Sequence, residues 1–137
     1  MKGKKSLPSK ISSGDMLALF DTLDILNGKW KIAIICSLNE RKRRFKELQR
    51  DIGRITGKML SKELKELEMN ELITRTVFST KPITVEYELT SYGETLETVI
   101  AELVRWGLKH RKRILKKPGD LRQGAGKQFL PGKLQLH

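Results

Sequence analysis

The sequence predicts an α+β fold, mostly helical, organised as a winged helix-turn-helix with further helices at its N- and C-terminal ends. Three observations predict it. Residues 45–68 read as helix, glycine turn, helix; residues 72–90 read as a β-hairpin directly after that pair; and positive charge concentrates on the pair itself. At 137 residues the chain makes one domain, long enough to bury its own core. We expect a disordered basic arm over residues 1–14, a folded domain over 15–116, and a disordered basic tail over 117–137.

The first helix is expected from about Asp15 to Leu26, with Leu19, Phe20, Leu23 and Leu26 at helical spacing and Asn27-Gly28 as a left-handed end. Lys29-Trp30 opens a second helix to about Leu38, dense in isoleucine and therefore mostly buried, with Trp30 as a core anchor. Arg43-Arg44-Phe45 is a candidate short strand. Phe45–Ile52 is the first helix of the motif, and Gly53 suits its end because glycine enters the left-handed region freely.

The stretch Thr56–Glu68 is the expected recognition helix. Thr56 is its cap; Leu60, Leu64 and Leu67 form one apolar stripe; Lys58, Ser61, Lys62 and Lys65 fall on the other faces. A solvated face on an ordinary helical hairpin would fit this motif taken alone. The wing follows over Leu72–Thr90, with Ile83, Val85, Tyr87 and Leu89 alternating to one face of its second strand. Arg75 on the first strand and Lys81 at the tip are placed to meet phosphate or a minor groove. Ser91 and Glu94 read as a capping box for the longest helix, ending near Leu115. Its Leu96, Val99, Ile100, Leu103 and Trp106 exceed what a winged core can cover, so some should be intermolecular.

The chain carries 28 Lys and Arg against 16 Asp and Glu, a net +12. The two tails account for much of that excess. Within the body, residues 41–65 hold ten basic residues against Glu47, Asp51 and Glu63. Charge that coincides with a reading motif is the footprint of a nucleic-acid partner.

Four motifs then resemble one family, the HxlR-type transcriptional regulators. Leu23-Asp24-Ile25-Leu26-Asn27-Gly28-Lys29-Trp30 is similar to the family's opening, and Arg44-Phe45 with Leu48 to its next motif. Ile55-Thr56, Lys58-Met59-Leu60-Ser61, Leu64 and Leu67-Glu68 resemble its recognition helix. Val85-Glu86-Tyr87, Leu89-Thr90 and Gly93 match its signature at the end of the wing. The resemblance spans about residues 17–113.

It implies a homodimer built by terminal dimerisation helices, each recognition helix reading half of an inverted repeat in double-stranded DNA. Leu17, Phe20, Leu96, Val99, Ile100, Leu103 and Trp106 would form the interface. By the same resemblance Lys58, Ser61 and Lys62 approach bases, and Lys65, Arg75 and Lys81 hold phosphates. Arg43, Arg44, Arg54 and Thr56 complete the expected DNA-contacting set from the basic patch and the helix start. The sequence departs from the family at the Cys-Pro that many members carry before the first helix. That position falls at about Leu17, followed by Ala18, so redox sensing does not carry over. Cys36 sits in the apolar run, where a small hydrophobe is the expected role.

No catalytic constellation is present, and one cysteine with His110 and His137 gives no three-ligand metal set without recruiting carboxylates. The expectation is a non-enzyme without cofactor or metal. The longest apolar run, Ile32–Cys36, is too short to span a bilayer, and a single cysteine fits a reducing cytoplasm. A small-molecule effector could enter between the terminal helices and the winged core, but no residue names one. Two other readings stand beside specific DNA binding. One is a non-specific architectural nucleic-acid binder; the other is a winged protein–protein adaptor with a solvated basic stripe. Charge on the reading helix rather than only in the tails weighs against the architectural reading, and a field of +7 in 25 residues, costly without a polyanion partner, weighs against the adaptor.

Overall fold

The computed structural model describes residues 10–116. The tail over 117–137 lies outside them, as does the arm before Lys10. Helix α1 (Ser13–Ile25) begins where the Ser12 hydroxyl accepts the Asp15 N–H at 3.0 Å. It buries none of its residues. Gly28, at φ 71°, turns the chain into α2 (Trp30–Glu40). Ala33, Ile34, Ile35 and Leu38 of α2 make the centre of the core, with Trp30 packed against it.

Strand β1 (Arg43–Arg44) leads into α3 (Phe45–Ile52), which ends at Gly53 with φ 99°. Helix α4 (Gly57–Met69) is capped by Thr56, whose hydroxyl accepts the Met59 N–H at 3.1 Å. Its Leu60, Leu64 and Leu67 are buried in the common core, where α4 packs on α2 and β2, as the stripe predicted. Glu71 ends α4 at φ 65°, with Leu72 N–H donating to Leu67 O at 3.0 Å and Glu71 N–H to Glu68 O at 2.9 Å. The chain then enters β2 (Ile73–Phe78) and returns in β3 (Thr84–Leu89). The sheet is antiparallel in the order β1-β3-β2, with Arg43 opposite Tyr87 and Ile73 opposite Leu89. The architecture is the expected winged helix-turn-helix.

Several expectations need correction. The cap of the last helical segment is Thr90, not Ser91: its hydroxyl accepts the Gly93 N–H at 2.8 Å. That segment is also two helices, a short α5 (Ser91–Glu94) and a long α6 (Leu96–Leu115). The start of this segment is a locked junction. The Thr90 hydroxyl also donates to Glu71 O at 2.8 Å, and a Cβ on Gly93 would lie 2.2 Å from Leu72 O. Ile83 falls outside β3 and is exposed, so Val85, Tyr87 and Leu89 alone carry the inward face. Ile100 is buried in the chain's own core, which removes it from the expected intermolecular set, and Leu96 packs in part against the same core.

Two buried polar clusters tie these helices together. Lys31 of α2 is 5% exposed, and its ammonium donates to Glu63 at 2.5 Å and Glu66 at 2.7 Å, both on α4. Burial alone would pull the Lys31 pKa down; the two carboxylates outweigh it and hold it above the ordinary lysine value. The second cluster joins α2, β1 and α3. Arg43 pairs with Asp51 at 3.0 Å and Glu40 at 2.8 Å and donates to Ser37 O at 3.2 Å; the Ser37 hydroxyl donates to Asp51 at 3.1 Å.

Lys31→Met is expected to cost about 3–5 kcal/mol, because it strands the Glu63 carboxylate in the interior. Adding Glu63→Met should recover most of that loss. Urea unfolding followed by circular dichroism measures both; an equal loss in the single and double variants would show that shape, not charge, governs the site.

Candidate nucleic-acid interface

The outward face of α4 presents Lys58, Ser61, Lys62 and Lys65, all exposed. The leucine stripe forces this, since burying Leu60, Leu64 and Leu67 turns the opposite side to solvent. Thr56 at the start of α4 and Arg54 in the preceding turn are exposed beside it. Arg44, exposed at the start of α3, donates its backbone N–H to the Glu47 carboxylate at 2.8 Å, which holds Glu47 below the ordinary carboxylate range. Arg75 is exposed on β2 opposite Tyr87 of β3. Lys81 is exposed in the turn between the strands, next to a cis bond to Pro82.

Arg43 does not belong to this surface. It is 8% exposed and its guanidinium points to Asp51, Glu40 and Ser37. The sequence placed it in a run of cations, but β1 alternation turns it inward while Arg44 turns out.

Burial sharpens the charge of the remaining surface. Of the ten cations and three acids between 41 and 65, Arg43, Asp51 and Glu63 are inside, which leaves nine exposed cations and, within that span, Glu47. The pairs they make with neighbours are open ones, such as Arg41 with Glu47 at 3.7 Å and Lys42 with Glu86 at 4.0 Å. Exposed pairs of that kind contribute little and are readily exchanged for phosphate.

Sequence reasoning missed the polar residues that set the angle of α4. Lys31 is a cation inside an apolar run, and Glu63 falls between Leu60 and Leu67 on the inward face of α4. A charge on the buried face of each of two helices was the available signal. Glu66, one turn beyond Lys62, was also passed over. It accepts from Lys62 at 2.9 Å and from Lys31 at 2.7 Å, and these two cations hold its carboxyl down at about 2.

On the expected outer seam, Leu17, Phe20, Val99, Leu103 and Trp106 are all exposed, with Trp106 stacked on His110 at a centroid distance of 4.9 Å. An open groove of about 500 Å³ lies between α2 and α6, over Ile35, Leu89, Ile100 and Val104. Cys36 also lines it; burial and the nearby Glu40 push its thiol pKa up, the opposite of a reactive thiolate. Among the described residues no group of three His, Cys, Asp or Glu is placed to hold a metal, and no helix is long and apolar enough to cross a membrane.

The family described as HxlR-like helix-turn-helix matches residues 25–114. An uncharacterized HTH-type transcriptional regulator, YtcD of Bacillus subtilis, is 44% identical over 93 residues, which is 68% of this chain and 74% of that one. A second, BH0655 of Halalkalibacterium halodurans, is 47% identical over 91 residues, 66% of this chain and 80% of its own. The solved structure of the redox regulator HypR in its reduced form is similar at TM-score 0.68 and 35% identity, covering 73% of this chain and 99% of that one. These relatives are regulators, which is the non-enzymatic class that the sequence led us to expect. This chain belongs to the HxlR-like helix-turn-helix family and is a DNA-binding transcriptional regulator.

Proposed function

We propose that the chain acts in the cytoplasm as a homodimer that reads an inverted repeat in double-stranded DNA. The observation that carries this reading is the charge left by burying two of the three local acids: nine exposed cations and Glu47 over residues 41–65, the span that holds α3 and the start of α4. Helix α4 lies in the major groove, with Lys58, Ser61 and Lys62 toward base edges. Thr56, Arg44, Arg54, Lys65, Arg75 and Lys81 hold the backbone on either side. Binding at such a face releases counterions, so affinity falls steeply with salt.

The dimer reading rests on α1 and α6. Leu17 is 63% exposed, Phe20 53%, Leu103 52% and Trp106 65%, and no residue of α1 is fully buried by its own chain, Ile25 at its end being packed only in part against the core. Apolar stripes of that length on a folded chain mark an interaction surface. A second copy supplies a self-complementary match through two-fold symmetry.

Selection of random duplexes on the purified protein tests the whole reading; an enriched inverted repeat is expected, and salt-sensitive binding to every duplex without enrichment would replace it with the architectural one. Lys62→Ala should weaken binding to the selected duplex more than to a scrambled one, whereas equal losses would reduce Lys62 to a phosphate contact. Lys81→Ala should weaken both alike and lower the salt slope by about 1; an unchanged slope would take the wing out of the interface. Sedimentation should give a dimer at micromolar concentration, with half-sites roughly 34–36 Å apart. A monomer there contradicts the geometry.

A further inference from the structure

We propose that Glu66 is a positioning residue for DNA reading: anchored to the core through Lys31, it holds the Lys62 ammonium over one spot of the groove. The inference rests on the proposed base-proximal role of Lys62. Its geometry is a chain of three side chains. The Lys31 ammonium, buried and fixed by Glu63 at 2.5 Å, donates to one oxygen of Glu66 at 2.7 Å. The other oxygen of Glu66 receives Lys62 at 2.9 Å.

An i, i+4 Glu–Lys pair on a helix surface is ordinarily weak, because both side chains swing freely. Here one partner does not swing. Glu66 is tethered from behind by a lysine that is itself wedged between α2 and α4, so its free oxygen is presented at a fixed place. Two cations keep its carboxyl ionised down to about pH 2, so the tether persists at any pH at which DNA would be bound.

Two consequences follow for recognition. Lys62 reaches the groove with much of its rotamer freedom already spent, and its remaining donors point the same way each time. The Glu66 charge also opposes phosphates at this point of the surface, so Lys62 is discouraged from settling on the backbone. A carboxylate on a DNA-facing helix lowers general affinity and raises discrimination, which is how specificity differs from affinity. Lys58 and Lys65, on the same face, have no such tether among the described residues.

The test is Glu66→Gln, which keeps size but removes the charge and one of the two accepting oxygens, so that Lys31 and Lys62 can no longer both be held; Glu63 still pairs Lys31. Affinity is measured for the duplex selected by the wild-type protein and for a scrambled duplex of equal length. We expect binding to the scrambled duplex to tighten about 2- to 5-fold and the ratio between the duplexes to shrink about tenfold, within the worth of one well-placed base contact. In a Lys62→Ala background the same substitution should leave the ratio unchanged. In the free protein, NMR of the lysine ε-methylenes should show Lys62 loosening in the variant while Lys58 and Lys65 do not move. Equal tightening on both duplexes would make Glu66 a general repulsive charge only and overturn the proposal. Equal weakening on both, with a lower melting temperature, would make it structural only and overturn it as well. A wild-type protein with no preference between duplexes would instead sink the specific-regulator reading, and this one with it.

Discussion

The ammonium of Lys31 is the contact on which the placement of α4 depends. It is a lysine inside an isoleucine-rich helix, and two carboxylates of the next-but-one helix favour its charged form against the cost of burial. A buried ion pair adds little net stability over an apolar match, since desolvation offsets the attraction. It does constrain geometry, because the charges tolerate few arrangements. Leucines at the same α2–α4 contact could slide by part of a turn at small cost; Lys31 with Glu63 and Glu66 cannot. The Arg43–Asp51 cluster does the same for α3 and the first strand.

These clusters also sort charge between inside and outside. A protein that binds a polyanion still needs acids for solubility and for its helix ends. In the stretch from Arg41 to Lys65 the chain places two of its three acids inside, each against a buried cation, and leaves Glu47 at the start of α3. There a carboxylate satisfies a free backbone N–H and suits the helix dipole. The exposed field is therefore more positive than the sequence total suggests.

Much of this was legible before any coordinates. The leucine stripe, the Thr56 cap and Gly53 located α3 and α4 to within a residue, because each rests on local chemistry: a period, a hydroxyl, a missing Cβ. What failed was tertiary. Arg43 and Arg44 are identical in sequence terms, and only pairing with β3 decides which one turns inward. Ser91 and Thr90 are equally good caps, and the choice fell to Thr90 because its hydroxyl also meets Glu71 and Leu72. Leu96 and Ile100 read as surplus apolar positions until the path of α6 over the core was known.

The junction at Gly93 has a mechanical meaning. Thr90 joins the end of α4, the root of the wing and the start of the terminal helices within one hydrogen-bond radius of Leu72. Only a residue without a Cβ lets those backbones approach so closely. From this point α6 extends for twenty residues, about 30 Å. The arrangement is that of a calliper: the jaw is α4, the arm is α6, and the pivot is a glycine. An ångström of displacement at the pivot becomes several at the tip of the arm. The direction in which that arm leaves the winged core is thus set by a hydrogen atom where any other residue would carry carbon.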